Sequence, residues 1–566
     1  MTNHDPERAV VRVTRSRGSG GNDFPPGAGG SGGSPPRISI ELLTDPAGVP
    51  RARAMLQRAE WAARAFARYD KGSVDAIVRA AAEAGAAKAR EYAEWAVRET
   101  GFGVVEHKVL KNVACSTGIA EHYAGHDYVT PRLDPEAKIV EIPRPAGVVL
   151  ALTPSTNPVA TVFFKTLLAL MTRNVVVLSP HPLAKECCAD AARTMAAAAV
   201  RAGAPDGVIQ VVDEPSVPLI DALMTDERTS VIVATGGVPV VRAAYSSGNP
   251  AIGVGPGNVP VLVDATADLP RTALRIVDSK SFDNSILCTN ESVLIVQEQV
   301  AAALVRQLRR AGAYLLEPAE RDKVSALLFP GGRFDIRFVG QDATWIAAQA
   351  GVKVPATTRV LLAPFDLVVP EEPLAREKLC PVLGLVRVSS ARRGIDAARA
   401  VLRLSGRGHS AAIHSRDPKV IMEYGAAVEV LRVAVNVGNS LGSAGLETGL
   451  APSMTVGTGF FGRSSLTENL HPSHLVQWTR LAYNNDRAEP FGDFTGLIPW
   501  QAPAGPVPPY PVASNQRDGQ PRTAEDGRGG ATNARSAKIE FSPDAAALRE
   551  EIRRLIIEEL SQLVGR

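Results

Sequence analysis

From residue 147 to 234 the chain repeats one pattern: a short apolar run, a helical stretch, another apolar run. Residues 147–152 (Gly-Val-Val-Leu-Ala-Leu) read as a buried parallel strand that ends in Thr153-Pro154-Ser155-Thr156-Asn157-Pro158. A helix over 160–172 follows, then a strand (174–178), a helix (183–202), a strand (207–212), a helix (217–224) and a strand (230–234). Alternation on this scale builds βαβ units and therefore an α/β fold with a doubly wound parallel sheet. The last strand opens onto Thr235-Gly236-Gly237, with a helix from Val238. Glycines at such a turn let backbone N–H groups approach a phosphate at the positive end of the helix. The same pair also serves a plain tight turn.

A second α/β block starts near Gly253-Val254-Gly255-Pro256-Gly257-Asn258 and runs to about 437, with strands at 259–263, 293–296, 360–362, 382–388 and 411–414 and a helix at 298–311. Two sheets imply a cleft between them, the natural place for a ligand. Ahead of both blocks, residues 1–37 are rich in Gly, Pro and Ser and are expected to be disordered, while 38–129 read as helical. Residues 138–142 alternate like a strand before Pro143 and Pro145.

Residues 486–537 return to Pro, Gly, Gln and Asn and read as a linker. The last segment, 538–566, reads as an amphipathic helix: Ser542 suits the N-cap, Pro543 suits N1, and Leu548, Ile552, Leu555, Ile556, Leu560 and Leu563 form one stripe. A short helix on a tether needs something to dock on, either a separate partner or its own enzyme and sister subunits.

The net charge of +3 over 566 residues argues against an electrostatic nucleic-acid binder, and no apolar run approaches a membrane span. No secretory signal pattern opens the chain. The five cysteines lack a CxxC pair, so they outline neither a disulfide framework nor a metal site, and a reducing cytoplasm is the expected setting. One of them, Cys288, closes a polar segment just before the strand at 293–296. A cysteine at the rim of a buried strand suits a thiolate nucleophile, and it equally suits an apolar packing role.

Residues 153–158, Ser179-Pro180-His181-Pro182, Ala234-Thr235-Gly236-Gly237, Ala251 through Asn258 and Ser279 through Cys288 follow one another in order, and after them come Glu377-Lys378-Leu379-Cys380-Pro381-Val382, Gly408-His409-Ser410 and 450–459. Together these segments resemble the aldehyde dehydrogenase superfamily, in its CoA-acylating branch. The likeness is to the aldehyde dehydrogenase half of bifunctional aldehyde–alcohol dehydrogenases and to propionaldehyde and acetaldehyde dehydrogenases of bacterial microcompartments. It covers about 38–486; no iron-dependent alcohol dehydrogenase half follows, so that second activity is not expected.

The resemblance implies two doubly wound parallel-sheet domains, a cofactor domain over 38–253 and a catalytic domain over 254–440. It also implies a small β oligomerisation arm, formed near 133–145 and within 441–485, and hence a homodimer or homotetramer. Cys288 is implied as the nucleophile, and Asn157, otherwise a turn residue before Pro158, as an oxyanion donor with the Cys288 N–H. A dinucleotide, taken as NAD with NADP left open, is implied at Thr153, Pro154, Ser155, Ser179, His181, Pro182, Thr235, Gly236, Gly237 and Gly255. Glu377 is implied to hold the nicotinamide ribose, a surface charge being the alternative. His409 is either a CoA or cofactor contact or a structural histidine.

Hydrolytic relatives carry a glutamate about 34 residues before the cysteine, where this chain has Val254. Valine cannot activate water, so the implied reaction is short-chain aldehyde, NAD and CoA to acyl-CoA. The terminal helix resembles encapsulation peptides that dock cargo on microcompartment shell proteins. Rival expectations are an acyl-phosphate reductase on the same fold and a catalytically weak scaffold.

Overall fold

The alternation in the sequence becomes two parallel sheets, described by a computed structural model over residues 10–15, 38–43, 45–503 and 505–511. The chain divides into two compact units, residues 1–510 and 511–566, and only Pro511 of the second is among the described residues. The amphipathic helix of 538–566 and the later part of the 486–537 linker lie outside them.

The first strands correct an expectation. β1 (Val10–Arg15) lies inside the tail that composition marks as disordered, and it pairs antiparallel with β2 (Ile38–Leu43), in a stretch expected to be helical. β1 holds four β-branched residues (Val10, Val11, Val13 and Thr14) and β2 holds Ile38 and Ile40, and this local strand preference outweighs the surrounding Gly and Pro. Helices follow: α1 (Val49–Phe66), α2 (Lys71–Ala87), α3 (Ala89–Thr100) and α4 (Val105–Val113), the last continued by helical turns at Ala114–Gly118 and Ile119–His122. Next come β3 (Arg132–Asp134) and β4 (Ile139–Pro145), the latter running through both prolines.

Then the first parallel sheet begins: β5 (Val148–Thr153), β6 (Val175–Pro180), β7 (Ile209–Val211), β8 (Val231–Thr235) and β9 (Ala251–Val254), in the order β7-β6-β5-β8-β9. Its connecting helices are α5 (Pro158–Met171), α6 (Lys185–Arg201), α7 (Val217–Thr225) and α8 (Val238–Ser246). Strand order reverses between β5 and β8, and the crevice at the carboxyl ends of such strands is where open α/β sheets bind ligands. α5 starts at Pro158, earlier than the apolar pattern suggests, because proline at N1 loses no hydrogen bond. Every residue of α5 is buried, Lys165 included; its Nζ donates to Leu152 O (2.6 Å) and Val233 O (2.9 Å) and so braces β5 against β8.

The chain crosses to the second sheet between Val254 and Val259. That sheet holds β10 (Val259–Val263), β11 (Glu291–Gln297), β12 (Ala313–Leu315), β13 (Val360–Pro364), β14 (Val382–Val388), β15 (Ala411–His414) and β16 (Val433–Val435). Their order is β12-β13-β14-β11-β10-β15-β16, with all pairs parallel. α9 (Leu269–Ser281) links β10 to the segment that carries Cys288. Finally β17 (Val476–Ala482) returns to pair antiparallel with β4 in a three-stranded sheet, β17-β4-β3.

Residues 486–510 are not a free linker. Lys138 Nζ donates to Asp486 O (2.5 Å) and Glu489 O (2.7 Å), and the rings of Tyr483, Phe491 and Phe494 pack edge to face or tilted. The Arg173 guanidinium lies 4.3 Å from the Trp500 ring centroid, and Trp61 Nε1 donates to Pro508 O (3.2 Å) while its ring meets Tyr510. Composition missed this strap because Pro and Gly outnumber the aromatic anchors spaced along it. No described helix is long and apolar enough to cross a membrane.

Candidate active site

Two groups of polar residues gather at the carboxyl ends of the first sheet and at the start of the second. In the first group, Thr153 closes β5, Ser179 stands beside Leu152 on β6, and Thr235 closes β8. His181 N donates to Thr153 O (3.0 Å), and its Nδ1 accepts from Leu183 N (3.2 Å), so the Ser179–Pro182 turn is drawn against the β5 end beside Pro154 and Ser155. Thr153 Oγ1 is buried with no hydrogen-bond partner. A Cβ built on Gly236 or Gly237 would meet nothing closer than 3.7 Å, leaving the α8 N-terminus open to close approach. Gly255 likewise has nothing within 4 Å. An unpaired hydroxyl beside open backbone at a helix N-terminus fits the phosphates and ribose of a dinucleotide.

The second group centres on Cys288, which follows a tight turn and precedes β11. The residue is part-exposed. Burial pushes its thiol up to about 12, the Glu377 carboxylate adds to that, and the Cys288 and Thr289 N–H groups and Arg432 oppose it. Glu377 is itself pushed up to about 8 by burial, although it accepts from the Gly257 N–H. Gly257 is pressed against the cysteine: a Cβ there would lie 2.1 Å from Cys288 O and 3.5 Å from His409 Cε1. Only glycine tolerates that approach.

His409 is fully buried, pushed down to about 3 by burial and then by Arg432, and so neutral at pH 7. Arg432 donates to His409 O (2.9 Å). Asn439 Nδ2 donates to Thr289 O (2.7 Å) and Ser410 Oγ (3.0 Å), and Ser410 Oγ lies 3.0 Å from His409 Nδ1. Ser410 Oγ thus bridges Asn439 Nδ2 and His409 Nδ1. His409 Nε2 has no partner among the described residues.

Asn157 reaches the Cys288 segment by an indirect route. Among the described residues no hydrogen bond joins it to Cys288; instead Lys111, from α4, donates to both Asn157 Oδ1 and Asp283 Oδ2. Lys108 also donates to Asp283 Oδ2 (3.2 Å), and Val104 N to Oδ1 (2.6 Å). Burial pushes the Asp283 carboxyl up, but Lys111 and Lys108 outweigh this and hold it below the usual range. Lys108 falls to about 8, through burial and the neighbouring Lys111 charge.

Asp283, Asn284 and Ser285 all have positive φ (46°, 52° and 63°), a left-handed run just ahead of Cys288. Such residues cost of order 1 kcal/mol each and persist only where contacts over-determine them. Here Asp283 N donates to His107 Nδ1 (2.8 Å), and Asn284 Nδ2 donates to Gly340 O and Asp342 Oδ1 (both 3.0 Å).

Of the residues singled out in the sequence, Cys288, Glu377 and His409 converge, and those of the first-sheet crevice converge separately. Lys108, Lys111, Asp283 and Arg432 were missed. Asp283 stood in the motif itself, and the two lysines share one face of α4 at i, i+3. Val254 is buried at the end of β9, next to Thr235 of β8. One set of metal-capable side chains, Glu468, His471 and His474, lies elsewhere. His474 Nδ1 accepts from His471 N (3.1 Å), which leaves its proton on Nε2, facing Glu468, rather than a lone pair for a metal.

Residues 45–323 match the model of the aldehyde dehydrogenase family. An acetylating succinate-semialdehyde dehydrogenase of Clostridium kluyveri is 34% identical over 437 residues, 77% of this chain and 96% of that one. The chain belongs to the aldehyde dehydrogenase family. An acetylating aldehyde dehydrogenase of Geobacillus thermoglucosidasius shares this family fold with a TM-score of 0.76 at 37% identity, over 78% of this chain and 98% of that one. An aldehyde–alcohol dehydrogenase of Clostridium acetobutylicum is 39% identical over 422 residues, 73% of this chain but 49% of its own length. The chain therefore spans about half the length of the curated aldehyde–alcohol dehydrogenases it matches.

Proposed function

We propose that the protein is a CoA-acylating aldehyde dehydrogenase that turns a short-chain, propionaldehyde-like aldehyde into its acyl-CoA with NAD as oxidant. The observation that carries this reading is Val254: an apolar, buried side chain where hydrolytic members carry the carboxylate that activates water. Relatives matched nearly end to end and described as acetylating support it.

In this reading Cys288 Sγ attacks the aldehyde carbon and the carbonyl electron pair moves onto oxygen. Asn157 Nδ2 and the Cys288 N–H stabilise that oxyanion. Thr153, Pro154, Ser155, Ser179, His181, Pro182, Thr235, Gly236, Gly237, Gly255 and Glu377 would hold the dinucleotide, which would supply the hydride acceptor; on Cys288 the carbonyl re-forms as the carbon gives up its hydride, and a thioester remains. With no base to activate water, the thioester waits for the CoA thiol, which forms the new C–S bond as Cys288 Sγ departs. His409, whose buried Nε2 has no partner among the described residues, is proposed to contact the acyl group or CoA.

The test is NADH formation from propionaldehyde and NAD, with and without CoA, for wild type and Cys288→Ala. Turnover that needs both CoA and Cys288 supports the reading; steady NADH and free acid without CoA would sink it. NADP in place of NAD reads the cofactor preference.

The β17-β4-β3 sheet is proposed as the oligomerisation arm of a homodimer or homotetramer, because its exposed edge strands call for pairing across subunits. Light scattering of a β17 variant tests it. Segment 538–566 is proposed to dock on a microcompartment shell protein or other cargo. Co-purification with shell proteins before and after deletion of 511–566 tests that.

A further inference from the structure

The Asn157 amide can point two ways, and only one of them presents N–H groups to a developing oxyanion. Its Oδ1 accepts from the Lys111 ammonium; among the described residues its Nδ2 has only Thr156 Oγ1, at 3.4 Å. A flipped amide would set its NH2 against the ammonium, donor against donor. Lys111 is in turn fixed by Asp283 Oδ2, and both residues are essentially excluded from solvent. Asp283 lies five residues before Cys288 and is held in the left-handed turn by α4. One ammonium thus spans the β5–α5 turn, which bears the amide, and the turn that bears the thiol. The two lysines face a single buried carboxylate, so their positive charge is not fully neutralised within the cluster.

We infer that Lys111 is a positioning residue: it locks the Asn157 amide with Nδ2 toward the reacting oxygen and couples that amide to the nucleophile turn through Asp283. Lys108 shares Asp283 but, among the described residues, makes no hydrogen bond to the Asn157 side chain; its other acceptor is Thr156 O at 3.5 Å. It is the internal control, a neighbour with the same charge and burial but without the amide. The inference rests on the oxyanion role proposed for Asn157, and the experiment separates the two.

The test is a double-mutant cycle on kcat and KM for CoA-dependent NADH formation, with Tm and the Cys288 alkylation rate measured on the same preparations. Asn157→Ala is expected to lower kcat about 100-fold or more. Lys111→Met is expected to lower kcat about tenfold or more with KM for aldehyde little changed. The double variant should fall no further than Asn157→Ala alone, because the amide that Lys111 orients is gone. Lys108→Met should instead multiply with Asn157→Ala. If Lys111→Met is too unstable to assay, Lys111→Gln, shorter and uncharged, carries the same cycle. Multiplicative losses for Lys111 and Asn157 would overturn the inference while leaving the oxyanion role intact. Wild-type kcat in Asn157→Ala would overturn the oxyanion role, and the inference with it.

Discussion

Glu377 sets the Cys288 thiol against ionisation. Burial is the larger cause of the rise to about 12, but the carboxylate adds to it, while Gly257 donates its N–H to that same carboxylate and presses on the cysteine carbonyl. In the protein without substrates, alkylation of Cys288 by iodoacetamide should be slow at pH 7 and should climb through pH 10 without a plateau. Glu377→Gln removes the opposing charge and should speed alkylation several-fold at pH 8, where the carboxyl is about half ionised. A rate unchanged by Glu377→Gln would show that burial alone governs the thiol.

Gly257→Ala should abolish turnover and cost about 2 kcal/mol or more in urea unfolding. The new Cβ meets backbone, the Cys288 carbonyl oxygen at 2.1 Å, and not the end of a side chain that could swing aside.

Asp283→Asn should cost about 3–5 kcal/mol, the penalty for leaving buried ammonium groups without their counter-charge. The Asp283 carboxyl is held below its ordinary value, so its contribution is present above the unfolded carboxylate pKa and lost as pH falls through the folded one. Urea titrations at pH 7 read the first effect. Asp283→Asn should restore some stability when paired with Lys108→Met, since one of the stranded charges then disappears.

Much of this architecture was legible in the chain. The βαβ alternation from 147 to 234 gave strands within two residues of those observed, because buried parallel strands read as near-continuous apolar runs. Cys288, Glu377 and His409 stood in segments similar to those of known dehydrogenases. What stayed hidden was long-range polar pairing. Lys111 and Asp283 are 172 residues apart, and a lysine on an amphipathic helix reads as solvated surface until the fold folds it inward. The strap failed for the opposite reason: its signal was a few spaced aromatics within a composition that otherwise reads as linker.

Acid should weaken the fold well before carboxylates titrate. His409 is pushed down to about 3 and His414 to about 4, each chiefly by burial and then by a nearby arginine. The unfolded chain takes up these protons near pH 6.5 and the folded protein does not, so stability is lost as pH falls from 7 toward 4. Each histidine's slope rises from about 0.3 kcal/mol per pH unit at pH 7 toward about 1.4 near pH 5, as the unfolded histidine becomes fully protonated. Unfolding free energies at pH 7, 6 and 5 check it, and His414→Leu should remove roughly one such slope. Equal slopes in wild type and variant would count against this account.

The strap has a practical bearing on where this enzyme can be cut and joined. The described residues of 486–510 set Trp500 against Arg173, a residue only 1% exposed, and Pro508 and Tyr510 against Trp61. A chimera spliced at 486 would uncover those side chains and behave as a damaged enzyme, whatever is attached. Spliced after Tyr510, the same module keeps its clasp, so the later joint and not the earlier one leaves the dehydrogenase whole.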